Sequence, residues 1–189
     1  FQHHAFLEDE ISQRNLQLTA IADTIIAPLG LYSDKITSLE DIEDGAIIAI
    51  PTDATNGGRS LKVLEAARLI QVDEAAGYLP EVKDITENPK NIELIEVEAA
   101  QTPSLLPDVT AAIINGGHAV DHGLNPAKDS IYLEKPGSTG ENPYVNILVA
   151  RTEDKDRAEF QRIIEVYHSD AVRQVLEETY NGAYLPAWE

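Results

Sequence analysis

Ala46-Ile-Ile-Ala-Ile-Pro-Thr-Asp-Ala-Thr-Asn-Gly-Gly-Arg-Ser-Leu-Lys-Val-Leu64 opens on an apolar run of five, too short for a helix and rich in isoleucine. Such a run predicts a strand buried on both faces. The polar residues from Thr52 predict a turn, and Leu61, Leu64, Ala67 and the stem of Arg68 predict one face of an amphipathic helix over about 59–69. In this strand–loop–helix unit Arg59 falls in the first helical turn, where the macrodipole disfavours a cation, so an anion is expected to offset the conflict. Gly57 and Gly58 let backbone approach a ligand closely, and N–H groups at a helix start can bind the same anion that a guanidinium grips with two parallel bonds. Two partners stay open for Arg59: one of the many surface acids, or a bound carboxylate or phosphate. The nucleotide loops do not fit. A Walker loop needs Gly at Asp53 and Lys at Arg59, and no G-x-G-x-x-G follows a strand.

The 189 residues carry 33 acids against 14 bases, a formal charge of −19, which repels nucleic-acid backbone and anionic lipid and excludes both as main partners. A hydrophobic share of 43% suits one packed domain or two small lobes. Cysteine is absent, which rules out a disulfide framework, a thiol nucleophile and Cys-ligated zinc. No stretch reaches the roughly 18 consecutive apolar residues of a spanning helix.

Along the chain, 4–14 predicts a helix with Phe6, Leu7 and Ile11 on one side, and 16–21 alternates as a strand. Residues 24–32 predict a second strand, which Pro28 and Gly30 make an edge, a bulge or a crossing between lobes, the crossing being favoured. Ser38-Leu-Glu-Asp41 fits a capping box, Asn88-Pro89 a turn and 92–97 a strand. Pro103 and Pro107 bracket a short helical piece, and Ala111-Ala-Ile-Ile114 is a second buried strand that runs into polar Asn115-Gly-Gly-His-Ala119. Polar residues at the carboxyl ends of buried strands mark the ligand edge of open α/β sheets. The stretch 134–143 predicts an exposed loop, and 144–149 a strand in which Asn146 needs hydrogen-bond partners. Residues 153–180 predict helix, broken at His168-Ser-Asp170 and closed by Asn181-Gly182.

Several blocks in fixed order resemble one family. They are Phe1-Gln-His3, Ala27-Pro-Leu-Gly-Leu-Tyr-Ser33, Ile50-Pro-Thr-Asp-Ala-Thr-Asn-Gly-Gly-Arg59, Glu87-Asn-Pro-Lys-Asn91, Ile114-Asn115, Asn125-Pro-Ala-Lys-Asp129, Pro143-Tyr-Val-Asn146 and Pro186-Ala-Trp188. Together they resemble, from end to end, the methionine-binding lipoproteins of bacterial ABC transporters, the MetQ/NlpA group. The resemblance implies an α/β, periplasmic-binding-protein-like (type II) fold of two lobes, with a ligand cleft between them. It implies lobe one from 1–37 plus 134–189 and lobe two from 38–133. Arg59 would grip the carboxylate of L-methionine or a close analogue, and Asn56, Asn115 and Asn146 would bond its amino and carboxylate groups. Phe1 and His3 would wall the side-chain pocket, with Tyr144 nearby.

The implied partner is an ABC permease, and the implied location an extracytoplasmic, lipid-anchored one. Relatives carry a lipidated cysteine and a first strand–helix–strand of lobe one ahead of the Phe-Gln-His block, so lobe one is expected to be incomplete here and lobe two intact. Many relatives read Asn-Thr-Asn-Tyr-Ala or Asn-Gly-Asn-Tyr-Ala where this chain has Gly117 and His118. A surface adhesin or a small-peptide binder of the same fold is the alternative.

Other chemistry is not expected. His118 and His122 are spaced i, i+4, but the metalloprotease pattern would need Glu at Ala119, and no metal or cofactor is expected. Catalysis is not expected either: no G-x-S-x-G elbow is present, and adjacent acids such as Glu40-Asp41 and Glu177-Glu178 point to different helix faces.

Overall fold

The computed structural model describes residues 2–135, 142–180 and 183–188. The chain forms two units, a split one made of Phe1–Ala27 and Pro136–Glu189, and a continuous one, Pro28–Lys135. In chain order the split unit opens with β1 (Gln2–His3), α1 (His4–Arg14), β2 (Leu18–Asp23) and β3 (Ile25–Ile26). The continuous unit follows with β4 (Leu29–Tyr32), β5 (Ile47–Pro51), α2 (Ala54–Ala66), β6 (Gln71–Val72), β7 (Ile85–Glu87), β8 (Glu93–Val97), β9 (Ala111–Asn115), α3 (Gly116–Asp121), α4 (Pro126–Asp129) and β10 (Ser130–Leu133). The chain then returns to the split unit through β11 (Asn146–Arg151), α5 (Ala158–Tyr167), α6 (Asp170–Tyr180) and β12 (Leu185–Pro186).

A five-stranded sheet in the order β10-β4-β9-β5-β8 carries the continuous unit. β5 runs parallel to both β8 and β9, while β4 pairs antiparallel with β9 and β10. The two apolar runs singled out in the sequence are its centre: Ile48, Ala49 and Ile50 are buried, and so is every residue from Ala111 to Ile114. Both faces are covered, as an unbroken apolar run requires. Leu61, Val63 and Leu64 of α2 pack with Leu29, Leu31, Ile48, Ile50 and Ile113 on one side, and Leu106, Val109 and Ala119 pack with Tyr32, Ala49 and Ile114 on the other. The Tyr32 hydroxyl has no hydrogen-bond partner among the described residues. Burial first, and then the nearby charge of Asp129, raises its pKa above the ordinary phenol range, so it stays neutral.

The units divide at 27/28 and 135/136, not at the expected 37/38 and 133/134. Pairing sets the difference: β4 is a full member of the continuous unit's sheet, in register Leu29↔Asn115 to Tyr32↔Ala112, and Glu134 N donates to Leu29 O at 2.9 Å. Pro28 lies between strands that belong to different sheets, because β3 pairs with β12 in the split unit. There β11 lies between β1 and β2, antiparallel to both.

Two local expectations need correction, and one element was not foreseen. Helix α2 begins at Ala54, five residues before the predicted start. Pro103 lies inside a 3-10 turn, Ala99–Leu105, and does not merely flank it. The short β6–β7 ladder has too few residues for a periodicity to show. The break at 168–170 is present: α5 ends at Tyr167, and Ser169 Oγ accepts from Val172 N at 3.4 Å ahead of the body of α6. Asn181-Gly182 lies outside the described residues, as does most of the loop expected over 134–143.

Candidate functional site

The early start of α2 changes the chemistry read from its sequence. Asp53 is the N-cap: its carboxylate accepts from Asn56 N at 2.9 Å, supplying the acidic group that a helix start favours. Arg59 therefore lies in the second turn, beyond the strongest part of the dipole, and the conflict inferred for it does not arise. Nor do Gly57 and Gly58 form a ligand-cradling loop. A Cβ at Gly57 would sit 2.8 Å from Pro51 O, and one at Gly58 would sit 3.0 Å from Leu79 Cα. These glycines let α2 lie close to the end of β5 and to the 79–80 backbone.

Arg59 has nonetheless found an anion. Its side chain is only 4% exposed, with Nε donating to Glu134 Oε1 at 2.9 Å and Nη2 to Glu134 Oε2 at 2.5 Å. This is the fork geometry in which guanidinium and carboxylate match best. Glu134 Oε2 also accepts from Leu29 N at 2.9 Å, so one carboxylate ties α2 to β4. Of the two partners left open for Arg59, the structure displays an acid of the chain, though a partly buried one and not a fully solvated surface acid. Removing one member of such a pair strands the other charge, which costs about 3–5 kcal/mol.

Asn56 and Asn115 meet directly. Asn56 Nδ2 donates to both oxygens of Asp53 at 3.1 Å, and its Oδ1 accepts from Asn115 Nδ2 at 2.9 Å. Asn115 ends β9 and precedes α3 without making a side-chain cap bond, so Asn56 is what holds its amide. Its own Oδ1 is buried without a hydrogen-bond partner among the described residues. Asn56, Arg59 and Asn115 thus share one neighbourhood at the carboxyl ends of β5 and β9, since Arg59 follows Asn56 by three residues on the same helix face. A cavity of about 340 Å³ bordered by Ile50, Thr52, Asp53, Pro80, Val82 and Glu96 is a different place, which none of these three residues lines.

The split unit gathers the remaining expected residues. His3 caps α1, its Nδ1 accepting from Phe6 N at 3.2 Å. Its ring meets that of Tyr144 edge to face at 6.0 Å, and its backbone is in register with Asn146 across β1 and β11. Asn146 Nδ2 donates to Ile25 O at 3.3 Å, while its backbone carbonyl accepts from Thr24 N and Oγ1 at 2.8 and 2.7 Å. The partners that an asparagine within a strand needs are therefore local. Phe1 lies outside the described residues. His118 lies within α3 and His122 is its C-cap, and among the described residues no three of His, Asp and Glu converge as a metal site would need.

Two residues of this network, Asp53 and Glu134, were not among those picked out from the sequence. Asp53 carries a usable signal, an Asp directly before an amphipathic segment. Glu134 carries none, because its partner is 75 residues away.

Two α/β units with amide and guanidinium groups gathered at strand ends have the build of a periplasmic binding protein, and comparison with known proteins agrees. The model of the NlpA lipoprotein family matches residues 1–188, and the chain belongs to that family. It is 39% identical over 190 residues to the D-methionine-binding lipoprotein MetQ of Escherichia coli K12, spanning 100% of this chain and 69% of that protein. A nutrient-binding protein of Burkholderia cenocepacia, solved bound to methionine, matches with a TM-score of 0.90 at 34% identity, over 100% of this chain and 78% of that one. Protein PG110 of Staphylococcus aureus matches at 0.90 and 40% identity, over 99% of this chain and 74% of that one.

Proposed function

We propose that this protein is the solute-binding component of an ABC importer and captures methionine or a close analogue for uptake. The observation that carries the reading is the cluster at the ends of β5 and β9. A buried amide oxygen on Asn115 has no donor among the described residues, and the guanidinium of Arg59 lies one helical turn beyond Asn56. An amino acid offers the complement of both, an ammonium for the first and a carboxylate for the second. Asn56, Arg59 and Asn115 serve the polar end of the ligand, with Asn146 as a further amide. His3 and Tyr144, in edge-to-face contact, supply aromatic surface suited to a thioether, and Phe1 belongs with them. The names of the relatives support methionine over the adhesin and peptide-binding alternatives.

Membership in a lipoprotein family supports an extracytoplasmic, lipid-anchored location and a permease as partner. No helix among the described residues is long and apolar enough to cross a membrane. The protein binds and releases its ligand unchanged, with no catalytic step. Calorimetric titration with a panel of amino acids, both enantiomers of methionine included, tests the proposal. Saturable binding of methionine in preference to aliphatic residues is expected, by a margin of about 1–3 kcal/mol over a ligand one methylene different. Absence of binding by every amino acid, or recovery of a chemically altered ligand after denaturation, contradicts it.

A further inference from the structure

We propose that Asp53 is a positioning residue that fixes the hydrogen-bond polarity of this site, so that Asn115 presents an acceptor and the site selects ligands carrying an ammonium group. The inference rests on the amino-acid-binding reading above and sharpens it to a substrate class. An ionised carboxylate can only accept hydrogen bonds, whereas a primary amide donates at one end and accepts at the other. Both oxygens of Asp53 lie 3.1 Å from Asn56 Nδ2, so turning the Asn56 amide over would set its carbonyl against a carboxylate. Its carbonyl must therefore face Asn115, where it accepts from Nδ2 at 2.9 Å. That bond uses the donor end of the Asn115 amide and leaves Oδ1 as the end on offer. Oδ1 is buried and has no donor among the described residues.

A buried acceptor without a partner is costly, and a ligand N–H group removes that cost. An ammonium does so best, because a charged donor makes a hydrogen bond about twice as strong as a neutral one. Local charge points the same way. Glu134 balances Arg59, and Asp53 adds one further negative charge beside Asn56. A zwitterion meets this balance better than a plain carboxylic acid does.

The test compares methionine with its analogue bearing a hydroxyl in place of the amino group, titrated calorimetrically at pH 7 into wild type and variants. Asp53→Asn keeps the size of the side chain and an oxygen for the helix cap, but replaces one acceptor by an NH2. The two asparagines are then free to turn over together, and Asn115 offers a donor. Methionine affinity is expected to fall by on the order of 30-fold and that of the hydroxy analogue by less than about threefold, so the selectivity ratio collapses. The double variant Asp53→Asn with Asn115→Asp restores the ratio, because a carboxylate accepts in either orientation. A purely structural role for Asp53 would weaken both ligands alike. Asp53→Ser, which keeps the cap and removes the clamp, provides the same comparison if the Asn variant fails to fold. An unchanged ratio in either folded variant overturns the proposal. A wild-type protein that binds neither compound overturns the amino-acid reading itself.

Discussion

Helix α2 of the continuous unit and helices α5 and α6 of the split unit are all amphipathic, yet they end differently. α2 buries Leu61, Val63 and Leu64 against a sheet that is itself apolar, whereas α5 has no buried residue and α6 only Leu176. Ile163, Val166 and Val175 remain 50%, 53% and 53% exposed. Periodicity predicts that a helix forms and which stripe is apolar, but not what that stripe meets. Most stabilisation of a helix comes from the packing of that stripe, so cohesion should differ between the units more than composition does. The residues expected to bind ligand are held differently in the two units in the same sense. In the continuous unit Asn56, Arg59 and Asn115 are locked by Asp53 and Glu134, while His3 and Asn146 in the split unit are held by a short strand pair and backbone carbonyls.

The largest effect should follow from Arg59→Ala. It removes the carboxylate grip and leaves Glu134 unpaired, so methionine binding is lost and urea denaturation shows a loss of about 3–5 kcal/mol. A variant of wild-type stability would show that the Arg59–Glu134 pair does not hold α2 to β4. Core truncation sharpens the contrast next. Ile113→Ala, in the centre of β9 with no exposure, should cost about 3 kcal/mol, and Ile163→Ala on α5 less than about 0.5 kcal/mol. Equal costs would erase the difference between the units. In hydrogen exchange on the whole protein, amides of β5 and β9 should be the last to exchange and those of α5 among the first.

Within the split unit one tether joins Trp188 to α6 and the 168 turn. The Trp188 ring stacks on His168 at 5.0 Å, its Nε1 donates to His168 O at 3.1 Å, and Arg173 lies 5.5 Å above it. Trp188→Phe, which keeps an aromatic ring and loses the donor, should cost about 1 kcal/mol in a thermal or urea transition. The smallest effect is at Asp41 in the exposed capping box. Hydrogen bonds from Thr37 first, and then from Ser38, hold its carboxyl below the ordinary aspartate range. A lowered folded-state pKa stabilises above the unfolded value, and that contribution is lost as pH falls through the folded one. The small stability advantage of wild type over Asp41→Asn should therefore be complete near neutrality and vanish in acid, as paired urea titrations across pH would show.

The sequence displayed the sheet more clearly than the site. Residues 46–50 and 111–114 are apolar without interruption because both faces of their sheet are covered, and that is legible in one dimension. Asn115 followed from its place at a strand end. The start of α2 was misread because Asn56-Gly-Gly is turn chemistry by composition, and only the close approach of Pro51 O and Leu79 Cα explains glycines inside a helix. Arg59 was singled out by a dipole argument that fails once the helix begins at Ala54, although the guanidinium does grip a carboxylate. Glu134 stood in a stretch expected to be an exposed loop, and only the fold brings it to Arg59.

A crystal structure of the protein with methionine tests the central claim most directly. The account predicts the ligand carboxylate within hydrogen-bond distance of the Arg59 guanidinium and the ammonium on Asn115 Oδ1, with Asn56 Nδ2 still turned toward Asp53. Methionine bound away from these groups, with its carboxylate making no bond to Arg59 and its ammonium none to Asn115 Oδ1, would contradict it.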